Sequence, residues 1–137
     1  MNKFFIYLLI TFLFLKLEDI NAINLTHVQI FQKNLTAYYK RDINGFIASL
    51  SNDIALYNYG DVKPSIVGID AIKRFYQKVF DASPKLHSTI LKRIVFDNKV
   101  IDHEQIVGRV GSEKPVEIIL IYEIGNQKII KMTAIRK

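Results

Sequence analysis

From Leu86 onwards the chain is a succession of β-branched runs separated by turn residues. The runs are Leu86 to Phe96, Val100 to Val107, Val116 to Ile124 and Lys128 to Ile135. Asp97-Asn98, Gly108 to Pro115 and Gly125-Asn126 separate them, and each suits a hairpin. Four consecutive strands joined this way form an antiparallel meander. Such a sheet must cover one face with something else to bury it.

The cover is supplied by the first half. Val28, Phe31, Leu35 and Tyr38 fall at the spacing of one helical face, which predicts a helix from Asn24 to Lys40. Asp42 is a good N-cap for a second, short helix presenting Ile43, Phe46, Ile47 and Leu50. Ser51-Asn-Asp53 is expected to stop it. Ile54 to Tyr59 then reads as a strand, and Ser65 to Val67 as a short strand or sheet edge. Gly68 to Ser83 is the third helix, with Ile72, Phe75, Tyr76 and Val79 on its buried face and Pro84 ending it. Helices early and strands late define an α+β domain, with three helices packed on a curved, mainly antiparallel sheet.

The 137 residues are a one-domain length, and half of them are apolar, so a core is within reach. Residues 1–22 are set apart. Phe4 to Leu15 is apolar apart from Thr11, and Ala22 is a small residue at a plausible cleavage site. That run is shorter than the roughly 20 residues a membrane span needs, and it matches the apolar core of a signal peptide. The expectation is an exported protein, periplasmic or secreted, with a domain over 23–137 and no membrane span after cleavage. The absence of cysteine excludes disulfides, thiolate metal sites and a cysteine nucleophile. The formal charge is +6, but the cations are scattered, so a solvated surface is expected and not a nucleic-acid stripe. The Asn24-Leu-Thr26 and Asn34-Leu-Thr36 glycosylation patterns are read as chance matches.

The hairpin around Asp97-Asn98 sets the candidate chemistry. With a two-residue turn, paired positions place Phe96 opposite Lys99, Arg93 opposite Asp102 and Leu91 opposite Glu104. His87, Thr89, Leu91, Arg93 and Val95 then share a face with Val100, Asp102, Glu104 and Ile106. This face is expected to line a pocket. Two readings stand side by side. In one, Arg93 holds Asp102 ionised while Glu104 acts as an acid or base with a raised pKa. In the other, which is favoured, Arg93 and Asp102 are an ion pair that sets hairpin register. His87 is the start of the same strand and more often a packing residue. His103 points outward and His27 lies on the first helix. The three histidines have no metal-ligand spacing, so no metal and no cofactor are expected.

Several stretches together resemble the nuclear transport factor 2-like superfamily, in its SnoaL-like and steroid delta-isomerase-like branch. They are Ala37-Tyr-Tyr-Lys-Arg-Asp-Ile43, Gly68-Ile-Asp-Ala-Ile-Lys-Arg-Phe-Tyr76, Arg93-Ile94, Val100-Ile-Asp-His-Glu104 and Ile121-Tyr-Glu-Ile124. The resemblance covers roughly residues 25 to 137. It implies a cone-shaped domain with an apolar pocket, and commonly a homodimer through the outer sheet face. It does not specify an activity. The general-base aspartate of ketosteroid isomerase aligns with Asn58, and the protonated aspartate of its oxyanion hole falls near Ile119, so neither acid is present. Tyr38 or Tyr39 stands near its oxyanion tyrosine. Polyketide cyclase relatives pair an aspartate with a histidine, and here Asp102 and His103 point to opposite faces. The primary expectation is therefore a pocket for a small apolar or amphipathic molecule, with Arg93, His87, Tyr57, Asn58 and Tyr38 as ligand-binding candidates. The alternatives are an isomerase, cyclase or lyase using Asp102 or Glu104 as the acid/base, and a dimerising module without catalysis.

Overall fold

A computed structural model describes residues 27–137. Helix α1 occupies 27–40, followed by α2 (Ile43–Ala48), β1 (Leu50–Asn58), β2 (Ile66–Val67), α3 (Ile69–Ala82), β3 (His87–Phe96), β4 (Lys99–Val107), β5 (Val116–Gly125) and β6 (Lys128–Arg136). The six strands form one sheet in the order β2-β1-β6-β5-β4-β3. All neighbours are antiparallel except β1 and β6, which run parallel. This is the expected α+β architecture. The signal-peptide expectation for residues 1–22 lies outside the described residues.

The local signals explain most boundaries. Asp42 caps α2 by accepting a 3.0 Å hydrogen bond from the Gly45 N–H. A Cβ on Gly45 would sit 2.4 Å from that carboxylate, so the cap and the glycine belong together. Asn126 and Gln127 both take positive φ in the β5–β6 turn, the twist-matched geometry of a two-residue hairpin. Asn98 locks the β3–β4 turn to the next strand. Its backbone carbonyl accepts from Ile124 N–H at 2.9 Å, and its side-chain amide donates to the Ile124 carbonyl at 2.9 Å.

Two boundaries differ from expectation: the last hairpin turns on Asn126-Gln127 and not on Gly125-Asn126, with Gly125 ending β5, and the end of α2 falls earlier. Ser51-Asn52-Asp53 does not stop a helix but lies inside β1, which already begins at Leu50. Pairing overrides the local turn preference there. Leu50 is in register with Ile129 of β6, and the Ile129 N–H donates to the Ser49 carbonyl at 2.9 Å. The irregular register between Leu50 and Ala55 absorbs the three polar residues.

The core sits between the helices and the concave sheet face. Phe31 and Leu35 from α1, Phe46 from α2 and Ile72, Val79 and Phe80 from α3 meet Ile54, Val100, Ile106, Ile124, Ile129 and Met132 from the sheet. Tyr38, Phe46, Tyr76 and Phe80 form a cluster of tilted and edge-on rings at 4.4 to 6.3 Å. Between that cluster and the sheet lies the pocket. Among the described residues no helix is long and apolar enough to cross a membrane.

Candidate functional site

The β3–β4 hairpin carries the site, and its register holds for half its length. Phe96↔Lys99 through Lys92↔His103 pair as the two-residue turn requires, with Arg93 opposite Asp102. A bulge at Leu91 then shifts the ladder by one, so that Ile90, not Leu91, faces Glu104. Residues before the bulge exchange faces relative to the expected pattern. Ser88 and Ile90 turn inward, while His87 and Thr89 turn out and are exposed. The expected place of His87 on the pocket face is thus corrected. It sits at the sheet edge, stacked on Tyr39 at 5.8 Å.

The bulge separates the two carboxylates. Asp102 is 0% exposed and Glu104 2%. Arg93 grips Asp102 through both oxygens: Nε donates to Oδ1 and Nη2 to Oδ2, each at 2.7 Å. The guanidinium also lies 4.6 Å from the Phe31 ring centre and reaches Gln32 Oε1 at 3.4 Å. This hydrogen bonding to Asp102 raises the Arg93 pKa. Arg93 and Asp102 therefore tie α1 to the hairpin, and neither lines the pocket.

Glu104 does line it. Oε2 accepts a 2.6 Å hydrogen bond from the Ser88 hydroxyl, which the bulge delivers. Oε1 has no hydrogen-bond partner among the described residues. Burial pushes the Glu104 carboxyl up to about 7; the Ser88 hydrogen bond works against that, the neighbouring Asp102 charge adds to it, and Arg93 opposes it. A carboxyl of this kind exchanges a proton near neutral pH.

Around Glu104 the walls are Leu56, Phe75, Val79, Ile118, Leu120 and Ala134, with Tyr38, Tyr76 and Tyr122 among them. The cavity they enclose is narrow, about 40 Å³. Burial raises all three tyrosine pKa values, that of Tyr76 to about 12, so their hydroxyls stay protonated at neutral pH. Asn34 closes one side; it is buried and donates to the Phe46 carbonyl at 2.8 Å. Arg109 and Arg136 complete the lining.

The remaining candidates divide. Tyr38 lies in the pocket wall. Tyr57 does not: on β1 the buried Leu56 faces inward, so Tyr57 faces outward, with Lys131 4.9 Å over its ring. Asn58 is not in the wall but holds one of its members, since its side-chain Oδ1 accepts a hydrogen bond from Arg136 Nη1. Ile119 pairs with His103 on the outer face, and the inward neighbours Ile118 and Leu120 are equally apolar. The missing acid on β5 is therefore missing in either register. His103 points outward toward Glu117 at 3.4 Å. Ser88, Arg109 and Arg136 carry no local signal in the sequence that marks them for the site, and Asn34 stands out there only within a glycosylation pattern. Among the described residues no three His, Asp or Glu side chains converge as a metal-ligand set.

The match to the SnoaL-like domain model spans residues 31–132, and the chain belongs to that family. Among solved structures it is similar to a cystatin-fold protein from Novosphingobium aromaticivorans, with a TM-score of 0.72 and 19% identity over 80% of this chain and 97% of the other. It is also similar to a SnoaL-like protein of unknown function from Burkholderia thailandensis (TM-score 0.67, 12% identity, 82% and 94% covered). A third is TerC, crystallised with polyporic acid (TM-score 0.68, 15% identity, 82% and 92% covered). At these identities the likeness establishes the nuclear transport factor 2-like or cystatin-like fold. No curated protein matches the chain in sequence.

Proposed function

We propose that this SnoaL-like domain takes a small, largely apolar ring-bearing molecule into the pocket and meets one polar group of it with Glu104. One observation carries the reading: a carboxyl 2% exposed, with Oε1 unpartnered, aimed into an apolar cavity. Burying such an oxygen costs about 1–3 kcal/mol unless something hydrogen-bonds it, and a ligand group does so. A fold of this kind is compatible with small organic ligands, as TerC with polyporic acid illustrates. The protein is read as exported, on the sequence of residues 1–22 alone, and as a homodimer through the outer sheet face.

Native mass spectrometry of the protein from its own host, followed by organic extraction, tests the reading. A bound molecule is expected, and Leu120→Trp, which fills the cavity, should abolish it. A protein that comes out empty and takes up no apolar ring compound would sink the proposal.

The second reading is a proton-transfer enzyme of the isomerase, lyase or cyclase kind. The Glu104 pKa of about 7 favours it, because an acid/base is most effective when poised near the working pH. Asp102 is the weaker acid/base candidate, since Arg93 occupies both its oxygens. If Glu104 transfers protons, the extracted molecule should exchange carbon-bound hydrogen for deuterium with the wild type and not with Glu104→Gln.

A further inference from the structure

Two guanidinium groups line the same pocket as Glu104. Arg136 lies across the sheet from it: Glu104 pairs with Ile118, and Ile118 with Arg136, in one cross-strand row. At about 4.8 Å per strand the two backbones stand roughly 10 Å apart, with the Ile118 side chain between them. Arg109 follows the end of β4, at the same end of the sheet at which β6 stops at Arg136. Among the described residues no carboxylate lies within ion-pair distance of either. Arg136 donates to the Asn58 side-chain Oδ1, and Asp61 sits one hydrogen bond further on, accepting from Asn58 Nδ2 at 3.1 Å.

Arg109 is not a loose surface cation. The loop bearing it is pinned on both sides. Gly108, at φ +69, approaches the Lys85 carbonyl so closely that a Cβ would lie 2.2 Å from it. Val110 N–H donates to the buried Ser83 hydroxyl at 3.0 Å. The side chain of Arg109 is half-buried. Both arginines also act on the Tyr76 hydroxyl, lowering its pKa against the effect of burial, so both charges stand near the same ring.

We propose that Arg109 and Arg136 form an anion subsite at the pocket mouth, so that the ligand is an amphipathic anion with its ring against Ile118 and its carboxylate, sulfate or phosphate between the guanidinium groups. The inference rests on the pocket reading above and narrows its ligand class. A guanidinium fork matches an oxyanion in geometry as well as charge. The ring end is then directed along the Ile118 row toward Glu104, two strands away.

The test compares ligands that differ only in the headgroup. Calorimetry at pH 7.5 is run with 3-phenylpropanoate, its neutral amide 3-phenylpropanamide, and phenethyl phosphate, on the wild type, Arg109→Gln/Arg136→Gln and Arg109→Lys. One or both anions should bind at least ten-fold tighter than the amide, and the tighter of the two names the headgroup. The double variant should bring anion and amide to within about two-fold, while its circular dichroism and urea midpoint stay those of the wild type, which shows the variant is folded. Arg109→Lys should keep part of the preference. Amide and anions binding equally to the wild type would overturn the anion subsite and leave the pocket standing. A preference that survives the double variant would overturn it too. Failure of all three compounds to bind would overturn the pocket reading and this inference together.

Discussion

Glu104 and Asp102 stand two residues apart on one face of β4, and their partners send them to different tasks. Asp102 has both oxygens held by a cation, so removing Arg93 alone strands a charge in the core. Arg93→Met is expected to cost about 3 kcal/mol in urea unfolding, and Arg93→Met/Asp102→Leu should recover most of it. Glu104 couples stability to pH. Its folded pKa of about 7 lies above the unfolded value near 4.5, so the folded state holds the proton more tightly. Its contribution to stability is full below pH 4.5 and is lost as pH rises to 7, on the order of 3 kcal/mol. The urea midpoint of Glu104→Gln should lack that fall, which paired titrations at pH 4.5 and 7.5 will show. Ser88 can be separated from both. Its hydrogen bond lowers the Glu104 pKa, so Ser88→Ala should raise it further, by roughly half to one unit in a carbon-13 titration of the Glu104 carboxyl.

At the scale of elements, the loop between β4 and β5 joins fold to site. Gly108→Ala adds a Cβ against backbone, not a yielding side chain, at a φ that side chains rarely adopt. The expected result is a loss of about 2 kcal/mol of stability together with weakened binding of the anionic ligand, because Arg109 moves with the loop. What was legible in the sequence divides along similar lines. The meander, α3 and the Arg93–Asp102 pairing followed from alternation, helical spacing and turn chemistry, all of which are local. The inward face of β4 was legible too, since Val100, Asp102, Glu104 and Ile106 are in one alternation. The bulge at Leu91 was not. Nothing in Ile90-Leu91-Lys92 marks an extra residue, and one extra residue exchanged Ser88 for His87 on the inner face. Nor was the β1 start legible, because the parallel partner that draws Ser51 to Asp53 into a strand lies nearly eighty residues away. Arg136 escaped notice for the same reason, since its relation to Glu104 exists only through β5.

For the whole molecule, the helices cover one sheet face and leave the other bare. On that bare face Ile101, Ile121, Thr133 and Tyr57 follow one another across β4, β5, β6 and β1 in a single row, and His103, Ile119 and Ile135 form the next. An antiparallel sheet facing water on one side ordinarily alternates apolar-in with polar-out, and these half-buried rows depart from it with four isoleucines and a tyrosine, Thr133 and His103 being their polar members. Charged pairs lie beside this strip: Lys131 with Glu123 at 3.3 Å, and Lys137 with Glu117 at 2.8 Å. An apolar centre bordered by charge is the anatomy of a self-association surface. A two-fold pairing would set one copy's strip on the other's and leave both pocket mouths open, since the pockets lie on the opposite side of the sheet. Sedimentation equilibrium should accordingly report a dimer at micromolar concentration. Ile121→Lys, at the centre of the strip, should yield a monomer that still binds ligand with wild-type affinity. A wild-type protein that stays monomeric at high micromolar concentration would rule this face out as the interface. A monomeric variant that lost ligand binding would mean that the pocket depends on the second copy.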